Sequence, residues 1–354
     1  MPKIRLSGTV IGIHDPNREM RGRMLYQLFA GGWDIYNSNG DQRITLSNIE
    51  AKILESDAFV FMPGATLEDL FKALSIFVGY QTLDPNLKGK AAVILNSDGS
   101  WDPLFSLLDE LQRLGTIHQN YRNFLLLADL PNEVVAHLEK VDQEGLPDVG
   151  REKLDFAADH SFETPLPPGN RGNVCVFCSA SIKDQAYIDD GYALGVALAK
   201  NDYGCVSGAG TTGVMGSVVN GSVEAGGWTG GSNVPHIIEI EGLPTGLSSF
   251  WLRPDIYTRM EVMIQRSDAF IIFPGGAGTV QEMLALLIFK QSGSDLMRGK
   301  PVIIFNRKDA LHGVRFWDKL IDLLEPWCQE DLFVVVDELE ELIPTVDQLL
   351  ADKA

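Results

Sequence analysis

The stretch AFIIFPGGAGTVQEM, residues 269–283, sets a carboxylate, Glu282, shortly after a glycine-rich corner. Pro274 ends an apolar run, Gly275, Gly276 and Gly278 permit positive φ and close approach by a ligand, and Thr279 is placed to cap the helix that follows. Exposed backbone N–H groups at the positive end of a helix dipole form an anion site, most naturally for a phosphate. A carboxylate one turn further on can stabilise an oxocarbenium-like transition state at a bound sugar or orient the attacking water, as carboxylates do in glycoside hydrolysis. Two architectural readings compete: the glycines make a tight turn and nothing more, and the T-x-x-E spacing of Thr279 and Glu282 is a capping box that secures the helix start.

A second glycine loop, SGAGTTGVMG at residues 207–216, offers the hydroxyls of Ser207, Thr211 and Thr212 beside Gly208, Gly210 and Gly213. Neither loop is a Walker loop, because no Gly-Lys-Ser/Thr follows, and neither spells a dinucleotide fingerprint. Two such loops at the carboxyl ends of strands can face one crevice, which favours a nucleotide or sugar phosphate over architecture alone. Arg259, in IYTRMEVMIQRSDAF, has Val262, Met263 and Arg266 as helical neighbours, a pattern whose default reading is a solvated arginine bordering an apolar face. No lysine stands in either loop and Lys290 is about three turns downstream, so a Schiff base to pyridoxal phosphate has no candidate.

The elements that carry these loops follow from alternation of short apolar runs with helical patterns. In the second half strands are expected near 173–178, 204–207, 234–240, 269–273, 301–305 and 333–336, with helices near 184–200, 213–226, 255–266, 279–291, 315–327 and 338–351. Such alternation predicts an α/β fold with a doubly wound parallel sheet. The first half repeats the pattern: ESDAFVFMPGATLEDLFKALSIF (55–77) lies against RSDAFIIFPGGAGTVQEMLALLIF (266–289), and KGKAAVILN (88–96) against RGKPVIIFN (298–306). Two tandem Rossmann-like domains are therefore expected, residues 1–158 and 172–354, joined by a Pro- and Gly-rich linker at 159–171. The first half shows about five strands, near 9–13, 33–36, 58–61, 91–95 and 124–127, one strand–helix unit fewer than the second. It keeps an acid, Asp69, where the second half has Glu282, but loses glycines from the corner and carries Asn48 in place of Arg259.

The formal net charge is −19, from 29 basic and 48 acidic residues, which argues against a nucleic-acid binder because no cationic surplus exists to neutralise a phosphate backbone. The four cysteines, Cys175, Cys178, Cys205 and Cys328, make no disulfide framework, and the C-x-x-C of NVCVFCSAS has no second pair to complete a zinc site. The amino-terminal MPKIRLSGTVIGIHD lacks a signal-peptide core and no run approaches the ~18 apolar residues of a membrane span, so a cytoplasmic location without a membrane partner is expected.

RMEVMIQRSDAFIIFPGGAGTVQE resembles the R-x-x-x-M helix and P-G-G-x-G-T-x-x-E motif of the LOG family, whose members also carry a lysine decarboxylase label; VCVFCSAS and GAGTTGVMGSVVNGSVEAGG add to the match, over roughly 172–349. The resemblance implies hydrolysis of the N-glycosidic bond of a nucleoside 5′-monophosphate, releasing base and ribose 5-phosphate without metal or organic cofactor. By position, Arg259 and Glu282 become the catalytic pair and Gly275, Gly276, Gly278 and Thr279 the phosphate cradle. Ser181, Gly208, Gly210, Thr211, Thr212 and Met260 become further substrate contacts. Met260 stands where plant-type members have lysine, Gln281 replaces an acid and Ser179 a glycine, departures that bear on cytokinin specificity more than on the reaction. The first half, lacking one glycine loop and having the other shortened, is expected to be inactive; because the family also dimerises, it is expected to imitate a partner subunit within the chain, with a homodimer as a further level. Outside hydrolysis, a nucleotide sensor or carrier is the other class open to this fold, as the molybdenum cofactor carrier protein illustrates.

Overall fold

The computed structural model describes residues 3–7, 18–37, 53–156, 158, 160–309, 311–328 and 332–352. The backbone forms two compact units, Met1–Gln112 with His118–Gly150, and Arg113–Ile117 with Arg151–Ala354. Among the described residues no helix is long and apolar enough to cross a membrane.

The first unit holds strands β1 (Lys3–Ser7), β2 (Asp34–Asn37), β3 (Ala58–Phe61), β4 (Ala91–Leu95) and β5 (Leu125–Ala128) in the order β2-β1-β3-β4-β5, every neighbouring pair parallel. Its helices are α1 (Arg18–Ala30), α2 (Leu67–Gln81), α3 (Asp102–Arg113) and α4 (Pro131–Glu144). AFVF and AAVIL are buried along their whole length, as strands covered by helices on both faces must be. The expected strand at 9–13 and Asn48 lie outside the described residues, and the first strand of the sheet is Lys3–Ser7, between β2 and β3.

In the second unit the strands are β6 (Gly172–Phe177), β7 (Tyr203–Ser207), β8 (Thr229–Asn233), β9 (Ser249–Leu252), β10 (Ala269–Ile272), β11 (Val302–Phe305), the two-residue β12 (Lys308–Asp309) and β13 (Val314–Arg315), and β14 (Val334–Val336). The main sheet runs β14-β11-β10-β6-β7-β8-β9, all parallel, with helices α5 (Gln185–Lys200), α6 (Gly213–Glu224), α7 (Pro235–Glu241), α8 (Ile256–Gln265), α9 (Ala277–Gln291), α10 (Asp318–Leu324) and α11 (Leu342–Ala351). From β6 the chain winds outward through β7, β8 and β9, then returns to lay β10 on the other side of β6 and winds outward again. That reversal is the topological switch point, where a crevice opens beyond the carboxyl ends of the strands.

One expected strand is corrected. Residues 234–240 form not a strand but the short helix α7, which Pro235 begins at its first turn and Gly242, at φ +73°, ends. The true strand is the preceding TGGSN, which lacks the β-branched run that marks a strand. Its glycines are there for space: a Cβ on Gly230 would lie 2.8 Å from the rings of both Trp228 and Trp251. The strand SFWL, β9, also escaped expectation.

Residues 160–166, expected within the linker, lie along β9. Phe162 and Phe250 exchange both backbone hydrogen bonds (3.0 and 2.7 Å), Leu252 N donates to Ser161 Oγ (2.9 Å) and Thr164 N to Ser249 Oγ (2.9 Å). The edge of the sheet is thereby covered, which removes an exposed template for strand pairing.

Candidate functional site

The corner after β10 leads straight into α9, which starts at Ala277 with Gly276 as its N-cap and no side-chain cap. Thr279 is thus the third residue of the helix rather than its cap. None of Gly275, Gly276 and Gly278 takes positive φ. The space they leave is filled otherwise: a Cβ on Gly275 would meet Thr279 Oγ1 at 2.0 Å, and one on Gly276 the carbonyl oxygen of Thr116, in the same compact unit, at 3.0 Å. Packing alone accounts for these two glycines. What the corner leaves available is the uncapped helix start, whose first N–H groups have no intrahelical acceptor.

The matching corner of the first unit behaves differently. Thr66 is the N-cap of α2 and accepts from Asp69 N (3.2 Å), while Asp69 Oδ2 accepts from Thr66 N (3.2 Å) and Thr66 Oγ1 (2.7 Å). Here the capping box is real, and the acid is spent on holding the helix. The two extra residues of PGGAGT move the start of α9 ahead of Thr279 and free Glu282 from that duty.

Glu282, itself buried, turns instead toward Arg259, with Oε1 3.9 Å from Nη1 and the arginine side chain 11% exposed. Arg259 comes from α8, whose start Asp255 caps by accepting from Tyr257 N and Thr258 N. Its Nε donates to Ser232 O (2.9 Å) at the end of β8 and its Nη2 to Gly208 O (3.1 Å) after β7. Gly208 is the one glycine of that loop the arginine itself demands, because a Cβ there would fall 2.0 Å from Nη2. The guanidinium is therefore fixed by two carbonyls, not solvated, and presents its remaining nitrogen to Glu282. Burial pushes the Glu282 carboxyl up to about 7, Arg259 opposing and the nearby Glu241 carboxylate adding to the rise.

The loop after β7 is stiff. It has two left-handed residues, Gly213 at φ +60° and Ala209 at φ +55°, and the alanine is buried and anchored by Asn233 Nδ2 on its carbonyl (3.4 Å) and by its own N–H to Ser207 Oγ (3.2 Å). Thr212 Oγ1 donates to Ala180 O (2.8 Å) and Met215 N to Ser179 O (3.1 Å), which ties the loop to the turn after β6, where Ser181 N donates to Ser179 Oγ (2.9 Å). Thr211 donates from both N and Oγ1 to Glu241 O, and Gly210 lies against the Glu241 carboxylate. Met260 is buried, 3% exposed, in the core side of α8.

Arg259, Glu282, Gly208 and Gly210 thus come together at the carboxyl edge, with Thr211, Thr212 and Ser181 in the adjoining loops. Glu241 was not foreseen. Burial raises its carboxyl while Arg151, paired with it, and the charge of Arg259 oppose the rise, which makes it a second acid within electrostatic reach of Arg259. Pro235 and Gly242, read as helix start and stop, would have put it at a helix end beside the loop. Cys175, Cys178 and Cys205 are buried free thiols whose acidities burial suppresses.

Comparison with known proteins identifies the family. The family model described as "Possible lysine decarboxylase" matches residues 12–138 and 215–351, one region in each half. A probable cytokinin riboside 5′-monophosphate phosphoribohydrolase of Oryza sativa subsp. japonica is 30% identical over 192 residues, 52% of this chain and 79% of the relative. The corresponding phosphoribohydrolase of Mycobacterium tuberculosis is 28% identical over 173 residues, 48% of this chain and 90% of the relative. Among solved structures the molybdenum cofactor carrier protein of Chlamydomonas reinhardtii covers 51% of this chain and 98% of its own at 18% identity and a TM-score of 0.40, a likeness too loose to bear on function.

Proposed function

This chain belongs to the "Possible lysine decarboxylase" family, and from that premise we propose that its second unit hydrolyses the N-glycosidic bond of a nucleoside 5′-monophosphate, of the AMP or cytokinin riboside type. The observation that carries the reading is Glu282: a buried acid with no capping duty, held opposite an arginine that two backbone carbonyls fix in place. The 5′-phosphate sits at the uncapped start of α9, where free N–H groups and the helix dipole favour an anion. The ribose then lies over Glu282. As the C1′–N bond breaks, positive charge grows on the sugar ring and the ionised carboxylate stabilises it; water adds its oxygen to C1′ and a proton ends on the departing base. Arg259 orients Glu282 and supplies a fixed positive charge to the phosphate or the base.

The relatives from rice and Mycobacterium tuberculosis carry phosphoribohydrolase names, which supports this reading over amino-acid decarboxylation. Lys290, the lysine nearest the corner, donates to Leu332 O (2.6 Å) from the far end of α9. The test is incubation with AMP, GMP, CMP and a cytokinin riboside monophosphate, scoring free base and ribose 5-phosphate. Glu282→Gln is expected to lower turnover by about a hundredfold or more. Turnover surviving in that variant removes the assigned role, and binding without turnover in the wild type reduces the second unit to a nucleotide-binding module.

A further inference from the structure

The charge cluster around Arg259 and Glu282 is joined by a residue from outside both regions that the family model matches. Arg151 stands between residues 138 and 215, in the stretch that leads into the second unit. Its Nη1 lies 3.5 Å from Glu241 Oε1, with the two side chains 23% and 14% exposed. Two further fastenings hold this stretch against α7: Leu154 N donates to Glu239 O (2.5 Å) and Lys153 Nζ pairs with Glu239 Oε2 (2.5 Å). Glu241 in turn has its other oxygen, Oε2, only 3.0 Å from where a Cβ of Gly210 would stand, and its carbonyl holds Thr211.

We propose that Arg151 is a positioning residue of the site: it holds the Glu241 carboxylate at its own end of the cluster, so that Arg259 stays committed to Glu282. This rests on the hydrolytic reading of the Arg259–Glu282 pair. Two carboxylates, Glu241 and Glu282, share the buried space with two guanidiniums, Arg151 and Arg259. With Arg151 in place each acid has a cation beside it. Without it Arg259 must serve both, and a buried carboxylate left without a partner takes the nearest cation or a proton. Either response disturbs Glu282, although Arg151 does not itself touch it.

A double-mutant cycle tests this. Arg151→Met keeps the aliphatic stem and removes the charge; in the otherwise wild-type chain it is expected to lower kcat/KM for base release from AMP by about tenfold, within the coupling typical of one charge network. In a Glu241→Gln background the same change is expected to cost nothing, because its only route to the site is gone. Arg151→Lys retains most of the activity, and Lys153→Ala, which loosens the neighbouring fastening, retains all of it. Equal losses in both backgrounds, no loss from Arg151→Met, or a loss from Lys153→Ala as large as that from Arg151→Met would overturn the proposal. If the wild type releases no base from any nucleotide, it is the hydrolytic reading that fails; the same cycle is then run on AMP dissociation constants by calorimetry, where coupling through Glu241 is again expected and additivity again refutes it.

Discussion

At Glu282 burial and Arg259 pull the carboxyl in opposite directions, and burial wins, leaving it half ionised near neutrality. If the ionised form is the one that works, kcat/KM for nucleotide hydrolysis rises with pH through about 7 and levels off above it. A profile flat from pH 5.5 to 8.5 contradicts the assignment. The spacing of Arg259 and Glu282 was legible in the sequence because each sits in a short motif. Glu241 and Arg151 were not, since their contact joins residues 90 apart and neither has a motif of its own. Ala209 shows a subtler gap. The loop after β7 turns left-handed at an alanine as well as at Gly213, and it uses Gly208 to admit a guanidinium, neither of which a glycine pattern reveals.

Between elements, the contrast of α2 and α9 shows how two residues at a helix start redirect an acid. Thr66→Ala removes a reciprocal cap, so it is expected to cost the first unit about 1 kcal/mol in denaturant unfolding, while α9 has no side-chain cap to lose. An unchanged midpoint for Thr66→Ala would show that the box does not hold the helix. The parallel sheets themselves were readable because β3, β4, β10 and β11 are continuous apolar runs. β8 was not, because a strand whose glycines make room for two indoles carries no hydrophobic signal, and the Ile-rich run after it belongs to α7. Pairing preference lost there to the packing of Trp228 and Trp251, whose ring centroids stand 6.3 Å apart.

For the molecule as a whole, the same acid links stability to pH. The folded chain holds the Glu282 proton more tightly than the unfolded chain, so this group's contribution is complete below about pH 4.5, declines as pH rises and is gone above about 7. Glu282→Gln should therefore melt higher than the wild type at pH 8, by up to about 3 kcal/mol of added stability, and the two should converge toward pH 4.5. A variant less stable than the wild type at pH 8 would contradict this. That sign is the expected signature of a group kept for chemistry at the expense of stability.

The residues laid along β9 bear on assembly. The outward N–H and C=O of Phe250 and the N–H of Leu252 are already engaged, whereas β14, at the opposite edge, shows Val334 and Val335 to solvent. Head-to-tail growth of a sheet needs two open edges that complement one another. Among the described residues the β9 edge is closed at Phe250 and Leu252, so a strand from another copy finds no template for pairing at those positions.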